Sequence, residues 1–92
     1  MSANSEDVFI RVVTLPDGVD LHARPAGQVV RAAGTQAAAV TLRAGAKEAD
    51  AKSILQVLAL GATGGTTVEV QTSGEGASAA LDVISDLIEN LT

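Results

Sequence analysis

The chain has 92 residues, no cysteine, one aromatic residue and a formal net charge of −5. This length predicts a single domain over residues 1–92, and the lack of cysteine excludes disulfides and thiolate zinc sites. The shortage of basic and aromatic side chains argues against nucleic acid, which is bound through clustered Lys and Arg and through stacking. A lone histidine with no cysteine beside it predicts no metal site, and we expect no cofactor.

The N-terminal segment has no features of a targeting signal. Residues 1–8, MSANSEDV, are polar and lack the basic start and apolar run of a secretory signal. The longest apolar stretches are too short to span a bilayer. We therefore expect a soluble, cytoplasmic monomer with no membrane insertion.

The first third of the chain predicts a strand, a turn and a helix. Residues 8–14, VFIRVVT, have the alternation of a pleated strand, and the turn-forming letters LPDGVD follow them. Pro25 is typical of a helix start, and we expect Gly34 to end this helix in a left-handed cap. The apolar positions spaced as on one helix face are Ala26, Val29, Val30 and Ala33.

The rest of the chain predicts a hairpin, a short helix, a strand and a final helix. The hairpin covers residues 39–51 with Gly45 at its turn. The short helix starts at Ser53 and stops at Gly61, and the alternation in residues 67–71 indicates the last strand. The apolar stripe of the final helix comprises Ala80, Leu81, Ile84, Leu87, Ile88 and Leu91.

The element order is therefore β-α-β-β-α-β-α. Strands in this order favour an antiparallel sheet whose two crossovers give a split βαβ arrangement. We expect an α+β fold, an open-faced β-sandwich in which three helices cover one face of a four-stranded antiparallel sheet. Such a topology hosts many functions, so function has to be argued from a site.

The only histidine, His22, lies in the stretch LHARPAG, at or just before the predicted helix start. Free N–H groups and the positive end of the helix dipole make such a position an anion site, formed here by Ala23, Arg24 and Pro25. The Arg24 guanidinium offers donors suited to phosphoryl oxygens. An imidazole that is largely neutral at cell pH is a nucleophile for a phosphoryl group. The alternative is a histidine that only caps the helix or occupies a surface loop.

Two stretches carry a family resemblance: LHARPAG, and later AKSILQVLALGATGG. Together with the element order, they resemble the histidine-containing phosphocarrier protein HPr of the bacterial phosphoenolpyruvate:sugar phosphotransferase system, from Val8 to about Leu91. The resemblance implies a phosphocarrier, not an enzyme. It implies that His22 takes a phosphoryl group on Nδ1 from phosphorylated enzyme I and passes it to the IIA components of sugar transporters. Arg24 would be its charge partner.

Two departures from the family pattern precede the histidine. Asp20 stands where many HPr proteins have glycine, and the turn PDGVD is about two residues longer than usual. A carboxylate directed at His22 would repel an incoming phosphate. We therefore expect unusual transfer rates if Asp20 faces the site.

Ser53 has two interpretations. The letters SILQ have the form of a capping box, in which Ser53 and Gln56 satisfy donors at a helix start. The resemblance adds a regulatory role, because in many Gram-positive relatives HPr kinase/phosphorylase phosphorylates the serine of Lys-Ser-Ile. Added negative charge there would repel an acidic partner.

The short helix is apolar nearly all round, which predicts a docking surface. Ile54, Val57 and Leu58 are expected to pack on the sheet. In the family this helix and the first one contact enzyme I and IIA proteins. The docking residues expected here are Ala26, Arg31, Lys52, Ile54, Leu55, Gln56 and Leu58. Arg24, Arg31 and Lys52 belong to the segments expected to surround His22, and their charge would favour an acidic partner.

Two other functions fit the same residues. A regulatory HPr paralogue of the nitrogen-phosphotransferase kind would have the same site but would control partner proteins through its phosphorylation state. A ferredoxin-like binding module would take up no phosphoryl group, and His22 and Arg24 would be incidental.

Overall fold

A computed structural model describes residues 7–92. The strands are β1 (Val8–Thr14), β2 (Ala39–Ala44), β3 (Lys47–Asp50) and β4 (Thr67–Ser73), and the helices are α1 (Ala23–Gly34), α2 (Ile54–Ala59) and α3 (Ala77–Glu89). The predicted order of elements is confirmed. A single domain over residues 1–92 stays a prediction.

The four strands form one open sheet in the order β1-β4-β2-β3, and every neighbouring pair is antiparallel. One of the two central strands, β4, pairs Val68 with Val13 of β1 and Val70 with Leu42 of β2. The antiparallel sheet with its three helices confirms the predicted fold class. No helix in residues 7–92 is long and apolar enough to cross a membrane.

The core lies between the helices and the sheet, because β2 and β4 alternate buried apolar residues with more exposed ones as predicted, whereas in β1 only Val13 is buried. Val68 and Val70 of β4 are completely buried, whereas Glu69 between them is only half-buried. The largest completely buried side chains across the molecule include Leu15, Leu21, Leu42, Ile84, Ile88, Val29 and Val57. Leu21, directly before the histidine, is one of them, so the chain is anchored in the core immediately before the site.

The predicted end of α1 is correct in position and wrong in conformation. The helix ends at Gly34, but Gly34 is not among the residues with positive φ, and the C-cap residue is Thr35 with φ −84°. The Thr35 N–H donates to the Ala32 carbonyl at 3.1 Å, and the Gln36 N–H donates to the Ala33 carbonyl at 3.1 Å. Since these bonds satisfy the helix end in the right-handed conformation, no left-handed residue is required.

The short helix α2 buries less of itself than the sequence predicts. Val57 is completely buried and Leu58 is partly buried against the core, but the Ile54 side chain is 39% exposed. The prediction that Ile54 packs on the sheet is therefore wrong. With only six residues, α2 makes fewer than two turns, and its first residue lies at the edge of the core.

Candidate functional site

His22 is the residue that starts α1. Its backbone is extended (φ −143°, ψ 168°), and its carbonyl accepts the first helical hydrogen bond from the Ala26 N–H at 3.2 Å. The imidazole is exposed and forms no capping hydrogen bond. The side chain is thus placed at the helix start without serving as the cap, so capping alone does not explain this histidine.

The first turn of α1 presents backbone donors beside the histidine. In residues 7–92, the N–H groups of Ala23 and Arg24 donate to no backbone carbonyl, and Pro25 has no N–H. Pro25 is the third helical residue, since the helix begins two positions earlier than the proline. Free N–H groups together with the helix dipole attract anions, so the exposed first turn of α1 offers donors to an anion.

Ala23, directly after the histidine, has a strained backbone. Its φ of +42° is the only positive φ of a non-glycine residue in residues 7–92. The left-handed region costs an ordinary L-residue roughly 1–2 kcal/mol. The turn from the extended His22 into the helix therefore destabilises the chain locally at Ala23.

Arg24 lies in the same exposed first turn. The two salt bridges among residues 7–92 join Arg11 to Asp82 and Arg43 to Glu48, each at 2.7 Å, so neither involves Arg24. An exposed guanidinium outside these pairs retains its planar set of donors for phosphoryl oxygens.

Asp20 is held by the loop that follows α2. Its Oδ1 accepts a hydrogen bond from the Gly64 N–H at 2.9 Å, although the two residues are 44 positions apart. The carboxylate thus has a backbone partner of its own. Sequence reasoning missed Gly64, because no local pattern indicates a contact between residues 44 positions apart.

The basic residues expected around His22 are spread along α1. The Lys52 ammonium donates to the Gln36 carbonyl at 2.8 Å, just beyond the end of α1. A helix of 12 residues is about 18 Å long, and Arg31 lies in its last turn. Arg31 and Lys52 therefore lie toward the far end of α1 and not beside His22, since α2 starts beside that far end.

Ser53 is the N-cap of α2, and half of the predicted capping box is present. Its Oγ accepts from the Gln56 N–H at 3.3 Å. The Gln56 side chain does not complete the box, because its Oε1 accepts from the Asp50 N–H at 2.8 Å. The Ser53 N–H donates instead to the Asp50 carbonyl at 2.9 Å. The end of β3 therefore replaces the glutamine as the partner.

The predicted docking residues differ in exposure. Leu55 is 76% exposed, whereas Leu58 is partly buried and Ala26 is completely buried. The Ala26 side chain is therefore not available to a partner. Lys52 and Gln56 line a surface groove of about 430 Å³ between β2, β3 and α2, and His22 is not part of it.

Comparisons with known proteins agree with this architecture. The family model of the PTS HPr component phosphorylation site matches residues 10–90. The phosphocarrier protein HPr of Streptomyces coelicolor is 44% identical over 69 residues, which cover 74% of each chain. That of Pseudomonas putida is 41% identical over 81 residues, covering 87% of this chain and 90% of the relative.

A solved structure shares the fold. The crystal structure of a phosphocarrier protein HPr from Bacillus anthracis superposes with a TM-score of 0.84 at 26% identity, covering 88% of this chain and 96% of the other. The proteins of this family carry a phosphoryl group within the phosphotransferase system and are not enzymes. Because the family model matches residues 10–90, nearly the whole chain, the chain belongs to the HPr family and is a phosphocarrier of the phosphotransferase system.

Proposed function

We propose that His22 is the residue that carries the phosphoryl group, received from phosphorylated enzyme I and passed to IIA components of sugar transporters. The observation that carries this proposal is the exposed imidazole at the first turn of α1, where the backbone N–H groups of Ala23 and Arg24 have no backbone partner within residues 7–92. Arg24 and these N–H groups stabilise the phosphoryl oxygens.

The transfer needs no reactant beyond the His22 imidazole and the phosphorylated donor. The lone pair of Nδ1 forms the bond to phosphorus while the bond between phosphorus and the donor breaks, and its electron pair leaves with the donor. On delivery the same events run with this chain as the donor. Because phosphoryl transfer depends mostly on positioning and charge stabilisation, an exposed helix start with one arginine is sufficient machinery.

Intact mass spectrometry tests this assignment. The native chain incubated with phosphoenolpyruvate and enzyme I should gain one acid-labile phosphoryl group, and His22→Ala should gain none. Arg24→Ala should gain the group more slowly, by roughly tenfold or more, because one charge-assisted contact is lost. A phosphorylated His22→Ala would contradict the assignment, as would an unmodified native chain with an enzyme I that loads another HPr.

We also propose a docking surface for enzyme I and IIA proteins on α1 and α2. It consists of the exposed side chains Arg31, Lys52, Ile54, Leu55 and Gln56. Leu55 supports the proposal best, because a leucine that is 76% exposed has no role in the core. Basic residues on this side of an acidic protein favour an acidic partner.

Two exposed apolar residues give a matched pair for this surface. Leu55→Ser should raise the KM for enzyme I about tenfold with little change in the maximal rate, since a buried leucine anchor contributes roughly 1.5–3 kcal/mol to an interface. Val83→Ser changes a residue of α3 that is 45% exposed and lies outside the surface, and it should leave the KM unchanged. Equal effects of the two variants would refute the location of the docking surface.

Ser53 is proposed as a regulatory site for HPr kinase/phosphorylase. Its Oγ accepts a hydrogen bond from the Gln56 N–H and retains its own proton, so the oxygen is a possible phosphoryl acceptor at the edge of the docking surface. Ser53→Asp should preserve the cap and raise the KM for an acidic partner, and Ser53→Asn should preserve the cap without the charge. Equal KM values would refute the electrostatic regulation.

The remaining expectations complete the proposal. We propose that residues 1–92 form one HPr-like domain that acts as a monomer in the cytoplasm. One sheet and one main core cluster in residues 7–92 support the single domain, and the cytoplasm is where sugar-transporter components would be met. Analytical ultracentrifugation at micromolar concentration should give the mass of one chain, and a dimer would refute the monomer.

A further inference from the structure

The segment before His22 is fastened to the loop that follows α2. The Leu21 N–H donates to the Ala62 carbonyl at 2.9 Å, and the Gly64 N–H donates to Asp20 Oδ1 at 2.9 Å. A third hydrogen bond joins the same two segments, because the Gly65 N–H donates to the Leu15 carbonyl at 2.8 Å. Three hydrogen bonds therefore join the turn at residues 15–21 to the loop at residues 62–65. We call this pair of segments the clasp.

The backbones of the two clasp segments lie so close together at Gly64 that no Cβ atom fits between them. A Cβ on Gly64 would lie 2.6 Å from the nitrogens of Gly18 and Val19 and 2.8 Å from the Pro16 carbonyl oxygen. Only glycine permits this approach. The Gly64 N–H is therefore in a fixed position relative to the turn, and it presents one well-defined donor to the Asp20 side chain.

Asp20 connects the clasp directly to the histidine. While its side chain accepts from Gly64, its carbonyl accepts from the His22 N–H at 2.8 Å. A single residue thus bonds the loop through its side chain and the N-cap residue of α1 through its backbone. Leu21, between Asp20 and His22, is fixed by complete burial. The backbone of His22 cannot shift without changing one of these contacts.

We infer that Asp20 is a positioning residue, which holds His22 at the start of α1 through its hydrogen bond to the Gly64 N–H. The inference rests on the proposed role of His22 as phosphoryl acceptor. The position of His22 depends on the acceptor oxygen of Asp20 and not on the negative charge of its carboxylate. Asp20, which stands where many HPr proteins have glycine, then helps to position the site. The Gly64 N–H restrains its carboxylate.

Three variants of Asp20 separate acceptor geometry from charge. Asp20→Asn keeps an oxygen at the same distance along the side chain and removes the charge. Asp20→Glu keeps the charge and displaces the oxygen by one methylene group, and Asp20→Ala removes the acceptor. Asp17→Ala is the matched control, because Asp17 is an exposed carboxylate of the same turn that forms no side-chain hydrogen bond to backbone N–H within residues 7–92.

The measurement is the rate of phosphoryl transfer from phosphorylated enzyme I as a function of enzyme I concentration. The maximal rate should fall roughly tenfold or more in Asp20→Ala and Asp20→Glu, because small displacements of a reacting group are costly. The KM should stay within about twofold. Asp20→Asn and Asp17→Ala should transfer within about twofold of the native rate. Far-UV circular dichroism confirms that each variant is folded at the assay temperature.

Several results would overturn the inference. A native maximal rate in Asp20→Ala would show that the hydrogen bond does not position His22. If Asp20→Asn were as slow as Asp20→Ala, the charge and not the acceptor would be responsible. If Asp20→Ala did not fold, the comparison of Asp20→Glu with Asp20→Asn would decide alone. A native chain that takes no phosphoryl group, or a His22→Ala variant that does, would instead refute the proposed function of His22.

Discussion

The close approach at Gly64 gives a quantitative prediction for Gly64→Ala. The added Cβ would meet three backbone atoms at 2.6, 2.6 and 2.8 Å, all below the 3.0 Å that real Cβ atoms essentially never cross. Gly64 has no positive φ, so alanine suits its backbone conformation and only the steric contact is penalised. Because the contacted atoms are backbone, relief requires the turn at residues 15–21 to move away from the loop.

The magnitude follows from overpacking and from weakened hydrogen bonds. Overpacking costs about 1–3 kcal/mol, and weakening one backbone hydrogen bond of the clasp adds about 1 kcal/mol. We expect Gly64→Ala to lower the free energy of unfolding by about 3 kcal/mol. A chain of this size is stable by roughly 5–14 kcal/mol, so the variant should still fold. Its Tm should fall by about 12–24 °C, since 1 kcal/mol corresponds to about 4–8 °C in a small domain.

Thermal unfolding by far-UV circular dichroism is the appropriate assay, because the chain has no tryptophan or tyrosine to serve as a fluorescent probe. Gly34→Ala is the matched control. Gly34 ends α1, a Cβ there meets nothing within 4 Å, and its φ is not positive. Alanine should therefore stabilise the helix by about 0.5 kcal/mol. A Tm of Gly64→Ala within about 2 °C of the native value would refute the steric reasoning.

The remaining predictions concern single side chains, each checked by the same unfolding measurement. Ser53→Ala should cost about 1 kcal/mol, since the N-cap of α2 is lost; an unchanged Tm would mean that the cap contributes nothing. Ala23→Gly should stabilise by up to about 1 kcal/mol, because glycine tolerates a φ of +42°, and a lower Tm would contradict the strain. Ser85→Ala should stabilise by about 1 kcal/mol, because the Ser85 hydroxyl is completely buried without a partner in residues 7–92. The hydrogen bond and the negative charge of Glu48 raise the pKa of Arg43 above its usual range. A base with a raised pKa contributes stability that is lost only as pH rises through that pKa, so Glu48→Gln should not alter the pH dependence of Tm between about pH 5 and 9.

Much of the fold was predictable because the signals that specify its elements are local. The alternation in residues 8–14 matches β1 at both ends, and the spacing of apolar residues located α1 and α3. Pro25 placed the histidine at a helix start, since proline is favoured only in the first turn. Local chemistry also identified Ser53 as the cap of α2.

Predictions failed where a local rule had more than one physical solution. A helix end can be satisfied without a left-handed residue, and Thr35 does so after Gly34. A complete capping box requires that the Ser53 N–H donate to the glutamine side chain. Here the Ser53 N–H donates to the Asp50 carbonyl instead. Ile54 has the spacing of a core residue, but as the first residue of α2 it is 39% exposed and is not part of the core.

The sequence by itself determined the elements and their order and placed His22 at a helix start, because helix and strand periodicity and the choice of residues at a helix start depend on neighbours within a few positions. It did not determine what surrounds His22. Tertiary structure alone placed Lys52 beside the far end of α1 and gave the Asp20 carboxylate its partner, Gly64. That contact joins residues 44 positions apart, and no local pattern encodes a hydrogen bond that forms only after the sheet has brought two loops together.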